Sequence, residues 1–341
     1  MNSIKHFPFD IKDVDSETTA KLCKYFSGES AYVRIGPKQY FMPRSYKEEA
    51  ANIYNMSVRS DDIFIVTYPR TGTTWTSEMI WLIENNLDYE AAAAVPLVKR
   101  FPYMDFQTLF NEVQTKRIYE HNKNDEDKTA LAKFLLGGSK VIENLPSPRF
   151  IKTHLPMSLL PPSMLDTAKV VYVARNPQDV AVSYYNLSKL FITFGYNGDF
   201  KTFWEFFKND RPYSPYIEHV KEAWEMRNHP NMLFLFYEDL VKDLPGAINR
   251  MATFLDKKLT KDQVEKLCKH LSIESFKANS SVDGTAYKSL GFLATTAQPF
   301  IRKGKSQGWY DHFDEEMAAD AERWIAENLQ DTDLRFPNMT K

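Results

Sequence analysis

The sequence predicts an α/β fold in which a parallel central sheet is flanked by helices. Several short runs are apolar throughout rather than alternating with polar residues, as in strands that are buried on both faces of a sheet. Stretches with the apolar spacing of amphipathic helices lie between these runs. Because strand and helix alternate along the chain, we expect right-handed crossovers on a parallel sheet. The predicted strands are residues 63–67, 150–153, 170–174 and 232–236.

The helices that follow two of these strands are predicted from their spacing and their first residues. After the first strand, apolar residues from Trp75 to Ile83 recur at i, i+4, i+7 and i+8, which is the stripe of an amphipathic helix. After the third strand, Pro177 occupies a first helical position behind Asn176 as the N-cap, a common start of a helix. A surface helix is predicted over residues 315–329, because its apolar residues fall on one face.

We expect a single domain over residues 1–341. No repeat of fixed period and no low-complexity linker divides the chain. Residues 111–140 are mostly polar, with their charges densest from 123 to 128, and they interrupt the alternation of strand and helix. We therefore predict an insertion outside the sheet near residues 111–140.

Composition and charge argue against several classes of protein. The net charge of −2 provides no strong overall field that would recruit nucleic acid or an anionic membrane. No apolar run approaches the ~18 residues that span a bilayer, and no signal-peptide pattern opens the chain. The two cysteines cannot form a disulfide framework, and neither they nor the histidines show a metal-binding spacing. We expect a cytoplasmic protein without a metal, in which any anionic ligand finds its positive charge locally.

The segment between the first strand and its helix predicts a P-loop-like phosphate-binding loop. It reads TYPRTGTTW over residues 67–75, and a glycine-containing turn into a helix leaves backbone N–H groups free to bind an anion. Arg70 adds a full charge, and the threonines add hydroxyl donors. The Walker pattern GxxxxGK[ST] is absent, since Gly72 precedes a threonine, and this disfavours an Mg²⁺-dependent kinase. A helix N-terminus capped by threonines remains the alternative.

Five segments in the same order resemble the cytosolic sulfotransferases that use 3′-phosphoadenosine 5′-phosphosulfate (PAPS). They are TYPRTGTTW at 67–75, KTHLP at 152–156, YVARNP at 172–177 running on to Ser183, FYED at 236–239 and RKG at 302–304. Within that family, Arg70 in place of the usual lysine, the insertion and the C-terminal third are most similar to the insect branch that includes retinol dehydratase. The resemblance covers about residues 63 to 309 and implies the sulfotransferase fold.

The resemblance implies an enzyme that transfers the sulfuryl group of PAPS to a hydroxyl of a small, largely apolar acceptor, a phenol or an alcohol. The product of the donor would be adenosine 3′,5′-bisphosphate (PAP), and no metal is implied. A retinol dehydratase-like enzyme, which sulfates an allylic alcohol and then eliminates the sulfate, needs the same donor site and stays open. A nucleotide kinase and a non-catalytic nucleotide-binding module are two further hypotheses, and the presence of Lys152 with His154 argues against the module.

The catalytic residues implied by the resemblance are His154, Lys152 and Arg70. His154 follows the second predicted strand, where strand ends open onto the ligand side of a parallel sheet, and a neutral imidazole suits removal of the acceptor proton. Lys152 shares its strand face and would offset charge on the sulfuryl oxygens. Arg70 would offset charge on the bridging oxygen, and which cation contributes more stays open. Without the family, a structural histidine and a solvated lysine are the ordinary interpretations.

The cofactor-binding residues implied by the resemblance form two anion sites and an adenine site. The loop after the first strand takes the 5′-phosphosulfate, while Arg175, Ser183 and residues 302–304 take the 3′-phosphate that distinguishes PAPS from ATP. Trp75 and Tyr237 match positions beside the adenine. The full set is Arg70, Thr71, Gly72, Thr73, Thr74, Trp75, Arg175, Ser183, Tyr237, Ser272, Ile273, Phe276, Arg302, Lys303 and Gly304.

The acceptor-binding residues implied by the resemblance are Pro69, Tyr103, Tyr184 and Leu187. Aromatic residues make up 14% of the chain, but most of them are expected in the core, so the apolar acceptor rests on the family. The second glycine of the family's RKGxxGDW motif is displaced by one position, to Gly308. The family's dimer motif, KxxxTVxxxE, has no match around residues 310–319, so a homodimer, if one forms, is not expected by that route.

Overall fold

The strands that the structure describes form an antiparallel and a parallel sheet. The structure is a computed structural model that describes residues 6–294, 299–302 and 307–337. Its strands are β1 (Ile11–Asp13), β2 (Tyr32–Ile35), β3 (Tyr40–Pro43), β4 (Ile63–Thr67), β5 (Phe150–Thr153), β6 (Lys169–Ala174) and β7 (Met232–Phe236). The antiparallel sheet has the order β1–β2–β3, and the parallel sheet has the order β5–β4–β6–β7.

The parallel sheet confirms the predicted fold. Its strands coincide with the predicted ones, except that β6 begins one residue earlier, at Lys169. The register pairs Ile65 with Lys152 on one side and with Val171 on the other, so the carboxyl ends of β4, β5 and β6 lie side by side. Residues on both faces of β4 are buried, which explains their continuous apolar sequence. In open parallel sheets, ligand sites form outside these carboxyl ends.

Helices connect the strands and cover the sheet. In the described part of the chain the α-helices are α1 (Ser16–Tyr25), α2 (Tyr46–Tyr54), α3 (Thr73–Glu84), α4 (Tyr89–Ala94), α5 (Leu97–Arg100), α6 (Glu112–Asn122), α7 (Glu126–Leu135), α8 (Gly138–Glu143), α9 (Met164–Thr167), α10 (Pro177–Leu190), α11 (Phe200–Asn209), α12 (Tyr216–Glu225), α13 (Tyr237–Lys242), α14 (Leu244–Phe254), α15 (Lys261–His270), α16 (Ile273–Ala278), α17 (Thr285–Ser289) and α18 (Glu315–Asn328). Short 3-10 helices span Phe106–Leu109, Met157–Leu159 and Gly308–Asp311. The predicted start of α10 has the expected chemistry: the Asn176 side chain accepts from the N–H groups of Gln178 and Asp179.

The two faces of the parallel sheet lie in two apolar cores. Phe64, Val66 and Tyr172 belong to the larger core, which also holds the antiparallel sheet and apolar residues of α10, α11, α12 and α18. Ile65 and Val171 belong to the other core, with apolar residues of α3, α14 and α15. Adjacent strand residues therefore enter opposite cores, as the period of two in a strand requires.

The antiparallel sheet is an element that the sequence did not predict. Its strands are only three or four residues long, too short for a period of two to stand out. Long-range contacts help to hold it: the Phe41 N–H donates to the Ser214 carbonyl oxygen, and the Tyr213 N–H donates to the Phe41 carbonyl oxygen, both at 2.8 Å. Tertiary pairing rather than local pattern therefore accounts for these strands.

Residues 111–140 form α6, α7 and the first part of α8, outside both sheets. Asn111 begins α6 with a capping box, in which its side chain accepts from the Gln114 N–H and its own N–H donates to the Gln114 side chain,. At the end of α6, the buried Asn122 Nδ2 donates to the Leu290 carbonyl oxygen (3.0 Å). The polar composition is that of surface helices, and the assignment of this segment as an insertion in a single domain stays a prediction.

The C-terminal helix α18 ends one residue before its predicted end, because Leu329 is its C-cap. Its buried residues, Met317, Ala321 and Ile325, repeat every four positions as the predicted apolar face requires. Among the helices of the described residues, none combines the length and the apolarity that crossing a bilayer requires.

Candidate active site

The carboxyl ends of β4, β5 and β6 open into a cavity of about 390 Å³. The structure brings most of the predicted site residues to its wall, namely Pro69, Arg70, Gly72, Thr73, Thr74, Trp75, Tyr103, Lys152, His154, Arg175, Ser183, Tyr184, Leu187, Tyr237, Ser272, Ile273, Phe276 and Arg302. Thr71 differs, because it is buried and its hydroxyl donates to the Tyr68 carbonyl oxygen (3.0 Å), so its side chain holds the turn together. Lys303 and Gly304 lie outside the described residues.

The loop between β4 and α3 presents the N-terminus of α3 to the cavity. Gly72 is the N-cap, with φ 113°, a conformation that L side chains rarely adopt, and a Cβ there would lie 2.8 Å from the Tyr237 ring,. The Thr73 hydroxyl lies 2.7 Å from the Thr67 hydroxyl. Because the N-cap is a glycine, the alternative of a helix capped by threonines is wrong, and the first N–H groups of α3 are available to an anion.

Three arginine side chains converge on the cavity. Arg70 Nε donates to Ser183 Oγ (3.0 Å), and Arg175 Nη1 donates to the Arg70 carbonyl oxygen (3.2 Å). Burial, and then the charges of Arg175 and Arg302, lower the pKa of Arg70 to about 10. Asp179 lies 3.9 Å from Arg175 Nη2 and offsets part of this charge. Since clustered like charges are unfavourable without a counter-ion, the arrangement indicates an anion-binding site.

A hydrogen bond determines which nitrogen of His154 is basic. Nδ1 lies 2.7 Å from the Thr67 carbonyl oxygen, and because a carbonyl only accepts, Nδ1 carries the proton and Nε2 is the basic nitrogen. Burial lowers the pKa of His154 to about 3; the hydrogen bond to Thr67 opposes this shift, and the charges of Lys152 and Arg70 add to it. The imidazole is therefore neutral at pH 7 and can accept a proton.

Lys152 is on β5, two residues before His154, which directly follows the strand, and both line the same cavity. Its Nζ donates to the Tyr287 hydroxyl (3.4 Å) and lies 5.1 Å from the centroid of the Tyr103 ring. Burial lowers the pKa of Lys152 to about 8, while the charge of Asp105 opposes this shift. At pH 7 the amine is therefore mostly charged and can offset negative charge beside the imidazole.

Trp75 and Tyr237 form an aromatic corner of the cavity next to the arginines. Their ring centroids lie 5.8 Å apart, and Trp75 Nε1 donates to the Leu271 carbonyl oxygen (2.9 Å). Ser272, the next residue, is the N-cap of α16. The guanidinium carbon of Arg175 lies 4.4 Å from the centroid of the Tyr237 ring. Flat rings beside a cation suit a nucleobase that carries phosphates.

Aromatic side chains that the sequence did not single out complete the cavity wall. They are Phe106, Phe191, Phe194, Tyr213, Tyr287 and Phe300. They come from the first 3-10 helix, the residues after α10, the turn before α12, α17 and the segment 299–302. Phe191 follows the predicted Leu187 by four residues, and this helical spacing could have identified it. The others carry no local signal that separates them from aromatic residues of the core.

The sequence also matches a known family. Residues 60–333 match the family model described as "Sulfotransferase domain". This match covers most of the chain, so the protein belongs to the sulfotransferase family. The predicted family and class of enzyme are thereby confirmed.

Named relatives and solved structures agree with this assignment. The chain is 34% identical to luciferin sulfotransferase of Photinus pyralis over 305 residues, which cover 87% of this chain and 80% of that protein. It is 32% identical to sulfotransferase 1E1 of Bos taurus over 297 residues, or 86% and 92% of the two chains. The crystal structure of retinol dehydratase in complex with androsterone and inactive cofactor PAP superposes with a TM-score of 0.90 at 45% identity, over 98% of this chain and 99% of that chain. The predicted similarity to the branch that includes retinol dehydratase is therefore confirmed.

Proposed function

We propose that the protein transfers the sulfuryl group of PAPS to a hydroxyl of a small, largely apolar acceptor, with His154 as the general base. The observation that carries this proposal is the placement of His154 in the cavity wall. His154 lines a cavity that is cationic around Arg70 and Arg175 and aromatic around Tyr103 and its neighbours. Such a cavity suits an anionic donor and an apolar acceptor with a base between them.

The residues around α3 fit a donor that carries two separate anions. The N–H groups behind Gly72, together with Arg70, would bind the 5′-phosphosulfate. Arg175, Ser183 and Arg302 would bind the 3′-phosphate, and the ring of Trp75 would contact the adenine. PAP in the crystal structures of retinol dehydratase supports this assignment, because those chains are 45% and 44% identical to this one.

His154 would accept the proton of the acceptor hydroxyl at Nε2, while Nδ1–H stays bonded to the Thr67 carbonyl oxygen. The acceptor oxygen forms the new S–O bond as the S–O bond to the phosphate breaks, and PAP leaves with that electron pair. Lys152 and Arg70 would offset the negative charge on the transferring and leaving oxygens. The neutral state that burial imposes on His154 makes the base available at pH 7.

The aromatic part of the wall supports an apolar acceptor. Tyr184 and Leu187 on α10 face the cavity together with Tyr103 and Phe106, so an acceptor there would contact mostly carbon. One of the retinol dehydratase structures is a complex with androsterone, and another is a complex with retinol. Apolar alcohols of that size are therefore the first acceptors to test.

A dehydratase is the second candidate function. The TM-score of 0.90 to retinol dehydratase over 98% of the chain favours it specifically. Such an enzyme would sulfate an allylic alcohol in the same cavity, and the sulfate would then leave with the electrons of the C–O bond as a carbon-bound proton is lost. The two functions share the donor site and differ in the product, which is a stable sulfate ester in one case and a dehydrated hydrocarbon with free sulfate in the other.

The test is incubation with ³⁵S-labelled PAPS and a panel of phenols, catechols, steroids and retinoids. Labelled sulfate ester is expected for the first function, and free labelled sulfate with a dehydrated retinoid for the second. The variant His154→Ala is expected to lose at least ~100-fold in kcat, the lower range for a general base, while PAP still binds. His229→Ala, a histidine that does not line the cavity, is the matched control. Near-normal turnover in His154→Ala would reject the general-base assignment.

A further inference from the structure

Asp105 is a fully buried carboxyl group that the proposed mechanism does not use. It lies directly before the first 3-10 helix, with 0% exposure. Oδ1 accepts from the Thr153 hydroxyl (2.6 Å) and from the His154 N–H (3.3 Å), and Oδ2 accepts from the Tyr213 hydroxyl (2.7 Å). No Lys or Arg of the described residues lies within ion-pair distance of this carboxylate, whose burial is costly unless hydrogen bonds compensate it.

Tyr213 links this carboxylate to Tyr103, and both tyrosine rings pack against the His154 imidazole. Its hydroxyl hydrogen is directed to Asp105, so its oxygen accepts from the Tyr103 hydroxyl (2.8 Å). The Tyr103 and Tyr213 ring centroids lie 4.9 and 5.7 Å from the centre of the His154 imidazole, and both rings are steeply inclined to it. Tyr213 also has a φ of 75°, a strained conformation that persists only where surrounding contacts hold it. Asp105 thus supports His154 in two ways: it accepts from the His154 backbone N–H, and it holds the tyrosines that pack against the imidazole.

His219 of α12 binds the backbone carbonyl of His154, whereas Asp105 binds its backbone N–H. His219 Nε2 lies 2.9 Å from the His154 carbonyl oxygen, and Nδ1 lies 2.7 Å from the Tyr172 hydroxyl. Because the carbonyl only accepts, Nε2 carries the proton, and Nδ1 accepts from Tyr172. Burial lowers the pKa of His219 to about 4, which favours this neutral state at pH 7.

We propose that Asp105 and His219 are positioning residues that clamp the N–H and the carbonyl of His154, so that Nε2 stays directed at the acceptor oxygen. With the bond from Nδ1 to Thr67, His154 is held at three points by three separate segments of the chain. A general base must remain within hydrogen-bond reach of its proton, and a displacement of about 1 Å can cost ~100-fold in rate. The inference rests on the proposed role of His154.

Two pairs of variants test the clamp in the full-length protein. Asp105→Asn keeps the side-chain size but presents an amide where Tyr213 donates, and it is expected to lower kcat about 10- to 100-fold with the PAP-induced rise in melting temperature unchanged. His219→Leu is expected to behave likewise, whereas His219→Gln, whose amide N–H can still donate to the His154 carbonyl, should recover part of the loss. Tyr89→Phe is the matched control, because the buried Tyr89 hydroxyl has no hydrogen-bond partner among the described residues and the side chain packs against the core that contains Ile65.

A double-mutant cycle separates positioning from a general loss of structure. In the His154→Ala background, Asp105→Asn is expected to change kcat less than about twofold, because a residue that acts through His154 has nothing left to position. Equal losses in both backgrounds, or unchanged kcat in the single variant, would overturn the inference. If Asp105→Asn fails to fold, Tyr213→Phe tests the same bond to Oδ2 by the same criteria. An active wild type with near-normal His154→Ala turnover would instead reject the proposed role of His154 as the general base, on which this inference rests, and would leave the proposed sulfuryl transfer standing.

Discussion

At the scale of single residues, burial lowers the pKa of both Lys152, on β5, and His154, directly after β5, but with different consequences for their proposed roles. It lowers the pKa of His154 to about 3 and that of Lys152 to about 8. The histidine is thereby kept in the neutral form that a proton acceptor needs. The lysine, in contrast, comes within reach of losing the charge that its proposed role requires. The two residues therefore set different limits on the pH range of the enzyme.

Because the pKa of Lys152 is lowered, we expect activity to decline at alkaline pH. The amine is charged below its pKa and neutral above it, so kcat/KM for the donor, which reflects the free enzyme, is expected to fall above about pH 8. A bound anionic donor favours the charged amine, so the corresponding limb of kcat should lie at higher pH. Lys152→Arg keeps its charge throughout this range and is expected to lack the limb. Steady-state pH profiles measure this, and an identical limb in both proteins would contradict it.

At the scale of elements, a buried ion pair joins the starts of β4 and β5. Arg149 Nε donates to Asp62 Oδ1 (2.7 Å), and a second bond joins Arg149 Nη2 to Asp62 Oδ2. Both side chains are at most 1% exposed. The pair lies at the end of the strands opposite to the cavity, where it holds the first residues of β4 and β5 next to each other.

Asp62→Ala is expected to lower the free energy of unfolding by about 3–5 kcal/mol, because it leaves a buried arginine without its counter-charge. Urea unfolding measures this. Glu316→Ala is the control, since the Glu316 and Lys201 side chains form an ion pair that is mostly exposed to solvent, and its loss should not shift the unfolding midpoint. Similar midpoints for the two variants would contradict the expectation.

The helix α6 is hydrogen-bonded to the segment that carries Tyr287, a residue of the aromatic cavity wall. The buried Asn122 Nδ2 donates to the carbonyl oxygen of Leu290, three residues after Tyr287. Tyr287 lines the cavity and packs against Phe191 and Phe292, with centroid distances of 5.4 and 6.1 Å. A change in α6 is therefore expected to alter the proposed acceptor site and to leave the arginines of the proposed donor site in place.

Asn122→Ala is expected to raise the KM of the acceptor about fivefold, which corresponds to about 1 kcal/mol for one lost hydrogen bond. The stabilisation by PAP should not change. Asn144→Ala serves as the control, since the exposed Asn144 Nδ2 donates to Lys140 within its own helix segment. Kinetics with the acceptor identified in the panel measure the effect. An altered response to PAP, with unchanged acceptor KM, would contradict this role of α6.

At the scale of the whole molecule, the proposed donor site draws on parts of the chain that are far apart in sequence. Arg70 precedes α3, Arg175 precedes α10, and Arg302 lies near the C-terminal end of the cavity wall. The three cations meet only in the folded state. A ligand whose two anionic groups together contact all three arginines therefore binds the native protein and not the unfolded chain.

PAP is expected to raise the melting temperature by several degrees, since a ligand at 100 times its Kd stabilises the native state by about 2.7 kcal/mol. Adenosine 5′-phosphate at the same concentration should stabilise the protein less, because it has no group for Arg175 and Ser183. In Arg175→Ala, the difference between the rises in melting temperature caused by PAP and by adenosine 5′-phosphate should become smaller. Thermal unfolding followed by fluorescence measures all three. Equal shifts for both nucleotides in the wild type would contradict a second anion site.

The sequence by itself determined the parallel sheet and the part of the site that lies at its strand ends. The apolar runs of β4 to β7 each fall within a short window, so their pattern is visible without the fold. The same holds for the turn at Gly72 and for Lys152 and His154, which a period of two places on the same side at the end of β5. The family motifs then supplied Arg175 and Tyr237, each directly after a predicted strand, and Ser183, which lies within the helix that follows the third predicted strand.

Only the tertiary structure decided what surrounds these residues. The antiparallel sheet, the aromatic wall around Tyr287 and the clamp on His154 have no local signature. The bonds from His154 to Asp105 and His219 join residues that are 49 and 65 positions apart. Periodicity reports which face of an element is apolar, but it carries no information about which distant side chains meet that face. Long-range packing determines which distant side chains surround these residues, and the proposed specificity for the acceptor depends on that packing.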